Sequence, residues 1–315
     1  MIKLLLDVDT GIDDALALFY LAHAQKKREI EILGSTTVGG NVEVGQTTLN
    51  TLKIWEMLDL DIPVASGSKQ PLMVPLNPAP FVHGDDGLGN TFLPAPKKLP
   101  TEESAAEMIL RLSHEYAGEL TLLTTAPLTN IAVALLQDPS LAKRICKVVI
   151  MGGAVFTGNV SAVAEANIAN DPEAARIVFR SGMYMTLIGL DVTHEVYWEE
   201  QDLQDLVKIA NGRSAFLLKI IDFISTAYES LTGWKRCVLH DPLAAGVCLF
   251  PDLVKAEKRY VDVELNGDLT RGMTVVDRRG RTPLGEGNMQ VALKVDAERF
   301  KTQLMESLLA WAREG

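Results

Sequence analysis

Short apolar runs alternate with longer apolar or amphipathic stretches along most of this chain. Ile2 to Leu6 is almost all Ile and Leu and too short for a helix, so it predicts a strand; Asp14 to Ala22, apolar on nearly every side, predicts a buried helix. Ile30 to Thr36 predicts the next strand and completes one βαβ unit. The pattern continues with a helix from Val44 to Leu58, a short strand at Pro63 to Ala65, a helix from Glu102 to Tyr116 and a strand from Leu120 to Thr124. Then come a helix from Asn130 to Gln137, a strand from Lys147 to Met151, a helix over 173–180 and a strand from Met185 to Leu190. Helices follow near 200–230 and over 243–249; strand-like runs at 259–265, 272–276 and 289–295 precede a final helix from 297. Residues 69–100 are Pro-rich and too irregular for either element, which predicts a functional loop, and 152–171 reads as a second loop.

Apolar strands separated by helices predict a parallel sheet covered on both faces, with right-handed crossovers. The expected class is α/β: a doubly wound, mostly parallel (Rossmann-like) sheet flanked by helices, with the short strands near 260–295 appended as a small sheet or hairpin. One domain spans 1–315, because no internal repeat or linker interrupts the alternation. In such folds ligands bind beyond the carboxyl ends of the strands, where the loops at 34–41, 124–127, 151–171 and 191–194 would converge.

Composition narrows the partners. With 47% hydrophobic and 23% charged residues, the chain can bury a large core. A net charge of −11 without a clustered run of Lys and Arg argues against a nucleic-acid partner. No apolar stretch reaches the roughly 18 residues of a membrane span. Three cysteines, Cys146, Cys237 and Cys248, lack metal-ligand spacing, and no charged-then-apolar leader precedes the first strand, so a reducing cytoplasm is the expected setting.

The densest chemistry sits directly after the first strand, where Asp7, Asp9, Asp13 and Asp14 crowd into eight residues around a turn at Thr10-Gly11. So much negative charge at a strand end calls for a cation, and hard oxygen ligands favour Ca²⁺ or Mg²⁺ over Zn²⁺. Matching to a helix dipole accounts for Asp13 alone and leaves Asp7 and Asp9 unexplained. Asp-x-Asp after a first strand also resembles the haloacid dehalogenase-like phosphatases, with Asp7 as nucleophile. Here, however, Thr10-Gly11 reverses their usual order, and no downstream Lys stands convincingly at a strand end. An EF-hand reading fails because a strand, not a helix, precedes the loop.

The segment Asp7-Val8-Asp9-Thr10-Gly11-Ile12-Asp13-Asp14-Ala15-Leu16-Ala17 closely resembles the signature of the inosine-uridine-preferring nucleoside hydrolases. The resemblance continues at Thr36-Thr37-Val38-Gly39-Gly40-Asn41, His83 to Gly89, Leu128-Thr129-Asn130, Met151-Gly152-Gly153, Asn159, Glu165, Asn167, Asp171-Pro172 and His240-Asp241-Pro242, in order, over nearly the whole chain. It implies a ribonucleoside substrate, Ca²⁺ as cofactor and a homodimer or homotetramer. A non-catalytic nucleoside or sugar binder on the same frame is the other class, against which the full set of Asp9, Asp14, His240 and Asp241 argues.

By that resemblance Asp9, Asp14, Asp241 and the backbone carbonyl of Thr125 hold one Ca²⁺, Asp9 is the general base for water, and His240 is the leaving-group acid. Asp13, Asn41, Asn159, Glu165 and Asn167 match the sugar-binding set. Asp7 either orients Asp9 or is a buried structural acid. His83 is either a base contact or an exposed loop histidine; Tyr228, twelve residues before His240, either lines the base pocket or packs in a helix core. Two departures stand out: Thr124-Thr125-Ala126-Pro127 replaces the family's Pro-Thr-Gly-Gly, and Ala166 replaces a common aromatic, which implies a larger pocket. His240, where the purine-specific branch has Trp, implies a pyrimidine-preferring or broad enzyme.

Overall fold

A computed structural model describes residues 1–279 and 286–314 of the chain. The predicted alternation is realised from the start. β1 (Ile2–Val8) leads through Asp9 to Gly11 into α1 (Ile12–Lys26), followed by β2 (Ile30–Thr37), α2 (Val44–Met57) and β3 (Val64–Ser66). A single helical turn, α3 (Pro80–His83), interrupts the Pro-rich segment; α4 (Ala105–Glu115), β4 (Leu120–Thr124), α5 (Thr129–Gln137) and β5 (Ile145–Met151) come next. After the second loop stand α6 (Ala166–Asn170), α7 (Pro172–Phe179), β6 (Met185–Ile188), α8 (Leu190–Thr193), β7 (Tyr197–Trp198), α9 (Gln204–Ile209) and α10 (Gly212–Thr232). The last part holds β8 (Cys237–Val238), α11 (His240–Leu249), β9 (Val254–Arg259), β10 (Val261–Val263), β11 (Thr274–Val276), β12 (Met289–Val295) and α12 (Ala297–Arg313).

Eight strands form one sheet in the order β3-β2-β1-β4-β5-β6-β12-β9, parallel except for β9, which runs antiparallel to β12. The winding reverses between β1 and β4, so the chain builds outward from the centre in both directions. Side chains alternate across the sheet with the period of two that a strand imposes. Leu4, Leu6 and Val8 enter one core with α1, α10, α11 and α12, whereas Leu5 enters the other with α4, α5 and α7. Two-sided burial explains why the strands read as continuous apolar runs.

Some boundaries differ from expectation. The strand at 185 stops at Ile188, because Gly189 is the N-cap of the turn α8 and takes Leu190 out of the sheet. β12 lies inside the main sheet between β6 and β9; it is not part of an appended unit, since Met289 and Val291 face one core and Ala292 the other. Only β10 and β11 form the small antiparallel pair. β9 lies at the sheet edge and carries Lys255, Glu257 and Lys258 into solvent, the composition that protects an edge strand and also hides it from an apolar count. Among the described residues no helix is long and apolar enough to cross a membrane.

α1 and α11 pack together, and α12 covers them. Phe300 of α12 is fully buried in that layer, with its ring edge-on to Tyr20 of α1 at a centroid distance of 5.8 Å. Replacing Phe300 with Ala should lower stability by about 3–5 kcal/mol, read as a shifted urea midpoint at unchanged slope. A shift below about 1 kcal/mol would mean that this layer does not hold the two helices.

Candidate active site

The first βα turn delivers its carboxylates to the reversal point of the sheet. Asp7, still on β1, is sealed from solvent; its Oδ1 accepts from Thr36 Oγ1 at 2.6 Å and Asn130 Nδ2 at 2.8 Å. Asn130 also donates to the Thr37 carbonyl at 2.9 Å, so one amide ties β1, β2 and α5 together. Asp7 is thus a buried acid hydrogen-bonded through Oδ1, while its Oδ2 is buried without a partner; at 0% exposure it is not presented to the cavity as a nucleophile.

Asp9 is held by one oxygen only. Its Oδ2 accepts the Asn41 backbone N–H at 2.7 Å, while Oδ1 is buried with no partner. The approach requires glycine at position 40, where a Cβ would fall 1.9 Å from that Oδ2. Asp14 Oδ1 accepts from Thr125 Oγ1 at 2.7 Å, and its Oδ2 accepts from the Gly11 N–H at 2.9 Å and Asn41 Nδ2 at 3.2 Å. Asp13 Oδ1 is another buried oxygen without a hydrogen-bond partner. Asp241, in the first turn of α11, meets Asp13 and Asp14 so closely that one oxygen from each lies within 4.8 Å of the others. Asp9 stands beside this trio, near enough that its charge acts on Asp241.

Burial pushes the Asp13 and Asp14 carboxyls up to about 6, with the neighbouring Asp13 charge adding to the effect at Asp14. The same desolvation, reinforced by Asp14 for Asp9 and by Asp13 for Asp241, holds those two well above the usual carboxylate range. Three converging carboxylates disfavoured as anions, with partnerless oxygens on Asp9 and Asp13, form a donor set that fits a hard divalent cation. The Thr125 carbonyl accepts from Asn167 Nδ2 at 2.9 Å and keeps a second lone pair for such an ion.

Above the acids opens a cavity of about 390 Å³. Asp13, Asn41, His83, Thr125, Asn159, Glu165, Asn167, Tyr228, His240 and Asp241 all line it, whereas Asp9 and Asp14 do not reach its surface. Glu165 caps α6: its Oε1 accepts the Asn167 N–H at 2.8 Å, and Oε2 accepts those of Gly153 at 2.8 Å and Ile168 at 3.1 Å. Asn159 Oδ1 accepts the Ala166 N–H at 3.0 Å. These polar groups are therefore fixed before any ligand arrives.

The wall opposite the loop at 158–167 is aromatic and basic. His83 is buried, not an exposed loop residue; its Nδ1 accepts the Ile12 N–H at 3.1 Å, so the neutral ring carries its hydrogen on Nε2. Desolvation lowers it to about 4. Gly11 makes room for that ring, since a Cβ there would lie 2.5 Å from Nδ1. His240 has a hydroxyl on each nitrogen, Thr193 Oγ1 at 2.7 Å from Nδ1 and Tyr228 Oη at 2.6 Å from Nε2. Burial holds His240 well below the ordinary imidazole range and keeps Tyr228 protonated.

The sequence reading missed three groups. Thr193 supports His240, His194 stacks edge-on to it with centroids 5.5 Å apart, and Arg236 lines the cavity over the rings of Trp234 and Tyr197. The position of Thr193 and His194 just past a strand end was the available signal; Arg236 lies in a segment without periodicity.

The model of the family described as inosine-uridine preferring nucleoside hydrolase matches residues 4–302. The inosine-uridine preferring nucleoside hydrolase of Crithidia fasciculata is 37% identical over 310 residues, covering 97% of each chain. The pyrimidine-specific ribonucleoside hydrolase of Salmonella typhimurium is 37% identical over 313 residues, covering 99% of each. A solved structure, the purine-preferring ribonucleoside hydrolase from Gardnerella vaginalis, superposes with a TM-score of 0.93 at 36% identity and covers 99% of this chain and 100% of that one. This chain belongs to the inosine-uridine preferring nucleoside hydrolase family, enzymes that cleave the N-glycosidic bond of ribonucleosides.

Proposed function

We propose that this enzyme is a Ca²⁺-dependent ribonucleoside hydrolase that releases the free base and ribose, with pyrimidine-preferring or broad base selectivity. The observation that carries the reading is a buried cluster of acids whose members Asp13 and Asp241 open onto the same cavity as a histidine–tyrosine pair, at the reversal point of the sheet. Asp9, Asp14, Asp241 and the Thr125 carbonyl would hold the cation, with Asp13 close enough to share it. A Ca²⁺ ion there supplies the positive charge that keeps these carboxylates ionised, acidifies a water and orients the ribose diol.

Asp9 is the base. Its Oδ2 is fixed by Asn41, and its free Oδ1 takes the proton of the water that attacks C1′. Asp13, Asn41, Asn159, Glu165 and Asn167 bind the ribose, and the carboxylates stabilise the positive charge that develops on the ring as the bond to the base stretches. At the other end, a proton taken from solvent by His240 passes through the Tyr228 hydroxyl to the departing base, a route supported by the 2.6 Å contact between them. His83, with its Nε2–H, is placed to meet the base. The selectivity proposal rests on His83 and His240 in the cavity and on relatives named for uridine, among them uridine nucleosidase 1 of Arabidopsis thaliana at 40% identity.

Three outcomes test the reading. Chelation should abolish uridine hydrolysis, and Ca²⁺ should restore it while raising the thermal midpoint; at a free concentration of about 100 Kd the added stability is about 2.7 kcal/mol. Full activity after exhaustive chelation would remove the cation from the account. Asp9→Ala should lower kcat by about 10²–10⁴-fold, and undiminished turnover would exclude Asp9 as the base. His240→Ala should slow uridine by about 10²-fold or more but a 4-nitrophenyl riboside far less, because that leaving group departs without a proton. Equal losses on both substrates would refute the acid role.

A further inference from the structure

We propose that Arg236 is a catalytic residue that binds a carbonyl oxygen of the leaving base and stabilises the negative charge that collects there; this rests on the ribonucleoside hydrolase reading above. Arg236 lines the cavity. Its guanidinium lies over the Trp234 ring at 4.5 Å and the Tyr197 ring at 5.3 Å, and those rings meet edge-on with centroids 5.3 Å apart. Trp234 is itself fixed, donating from Nε1 to Glu199 Oε1 at 2.8 Å. The next residue, Cys237, pairs with Trp198 in the β7–β8 ribbon. The arginine is thus held on a stiff platform at the cavity wall.

Among the described residues none accepts a hydrogen bond from its guanidinium. Nε is buried without a partner, and among the described residues Arg236 is in no ion pair. A guanidinium always carries its charge and offers five N–H donors in a planar fork, so an unfilled one in a cavity wall calls for an acceptor from the ligand. Its position says which part of the ligand. Arg236 lines the same cavity as His194, His240 and Tyr228, the last two of which are assigned above to the leaving-group end.

When the C1′–N bond breaks, its electron pair departs with the base while the oxygen of water bonds to C1′ and its proton moves to Asp9. In a base such as uracil or hypoxanthine that pair spreads onto exocyclic carbonyl oxygens before a proton arrives. A fixed cation beside such an oxygen binds the transition state more tightly than the neutral ground state, which raises kcat more than it lowers KM. The substrate class favoured is a ribonucleoside whose base carries a carbonyl group.

The test compares Arg236→Met and Arg236→Lys with wild type on uridine and on a 4-nitrophenyl riboside. The methionine variant should lose at least about tenfold in kcat/KM on uridine, most of it in kcat, and much less on the nitrophenyl riboside, whose leaving group needs no such help. The nitrophenyl activity also reports that the variant is folded. Lysine, which keeps the charge without the fork, should recover part of the loss. Equal losses on both substrates, a loss confined to KM, or an unchanged rate on uridine would overturn the role of Arg236. A wild-type enzyme inactive on every ribonucleoside would instead sink the underlying reading.

Discussion

Mutual repulsion among buried carboxylates is the constraint on which the rest of this molecule depends. Asp9, Asp13, Asp14 and Asp241 are each at most 7% exposed, and each is pushed toward its neutral form by burial. A protein built for stability alone would not gather them, because an unpaired buried charge is among the most destabilising features a fold can contain. The cluster is tolerable because two backbone N–H groups, the Thr125 hydroxyl and the Asn41 amide occupy part of its lone pairs. What they leave open has the character of a cation site.

The winding of the sheet puts the cluster together. Adjacent central strands whose crossovers depart in opposite directions leave a crevice at their carboxyl ends. β1 supplies the acids to that crevice, β4 supplies Thr125, and α11, packed along α1, brings Asp241 from more than two hundred residues away. Helix N-termini contribute as well. Asp13 and Asp14 lie in the first turn of α1 and Asp241 in the first turn of α11, where the helix dipole favours negative charge.

Much of this was legible in the sequence, for reasons that differ between parts. The central strands read clearly because burial on both faces makes them uninterrupted apolar runs, and the acidic loop read clearly because four carboxylates in eight residues are costly to gather without a counter-charge. β9 was invisible because an edge strand needs charge, and β12 was misplaced because its neighbour in the sheet, β6, lies a hundred residues upstream. Glu165 and Asn41 read as sugar contacts; in the structure they brace the turns that form the cavity, a use that spacing does not reveal. Arg236 escaped notice because its placement comes from ring stacking between segments nearly forty residues apart.

α10 ends at Gly233, in the left-handed conformation, and the chain then runs through Trp234 to the β7–β8 ribbon before entering α11. The acids thus stand at the strand and helix ends of the frame, whereas Trp234 and Arg236 hang between a helix terminus and a two-residue ribbon outside the main sheet. Such an arrangement lets selectivity drift while the reaction stays intact: changes between Gly233 and Arg236 can reshape one side of the cavity, whereas His240 and Asp241 are held by the buried first turn of α11. Descendants of one scaffold can then diverge in the nucleobase they accept, and relatives at 40% and 36% identity carry names that specify uridine and purine.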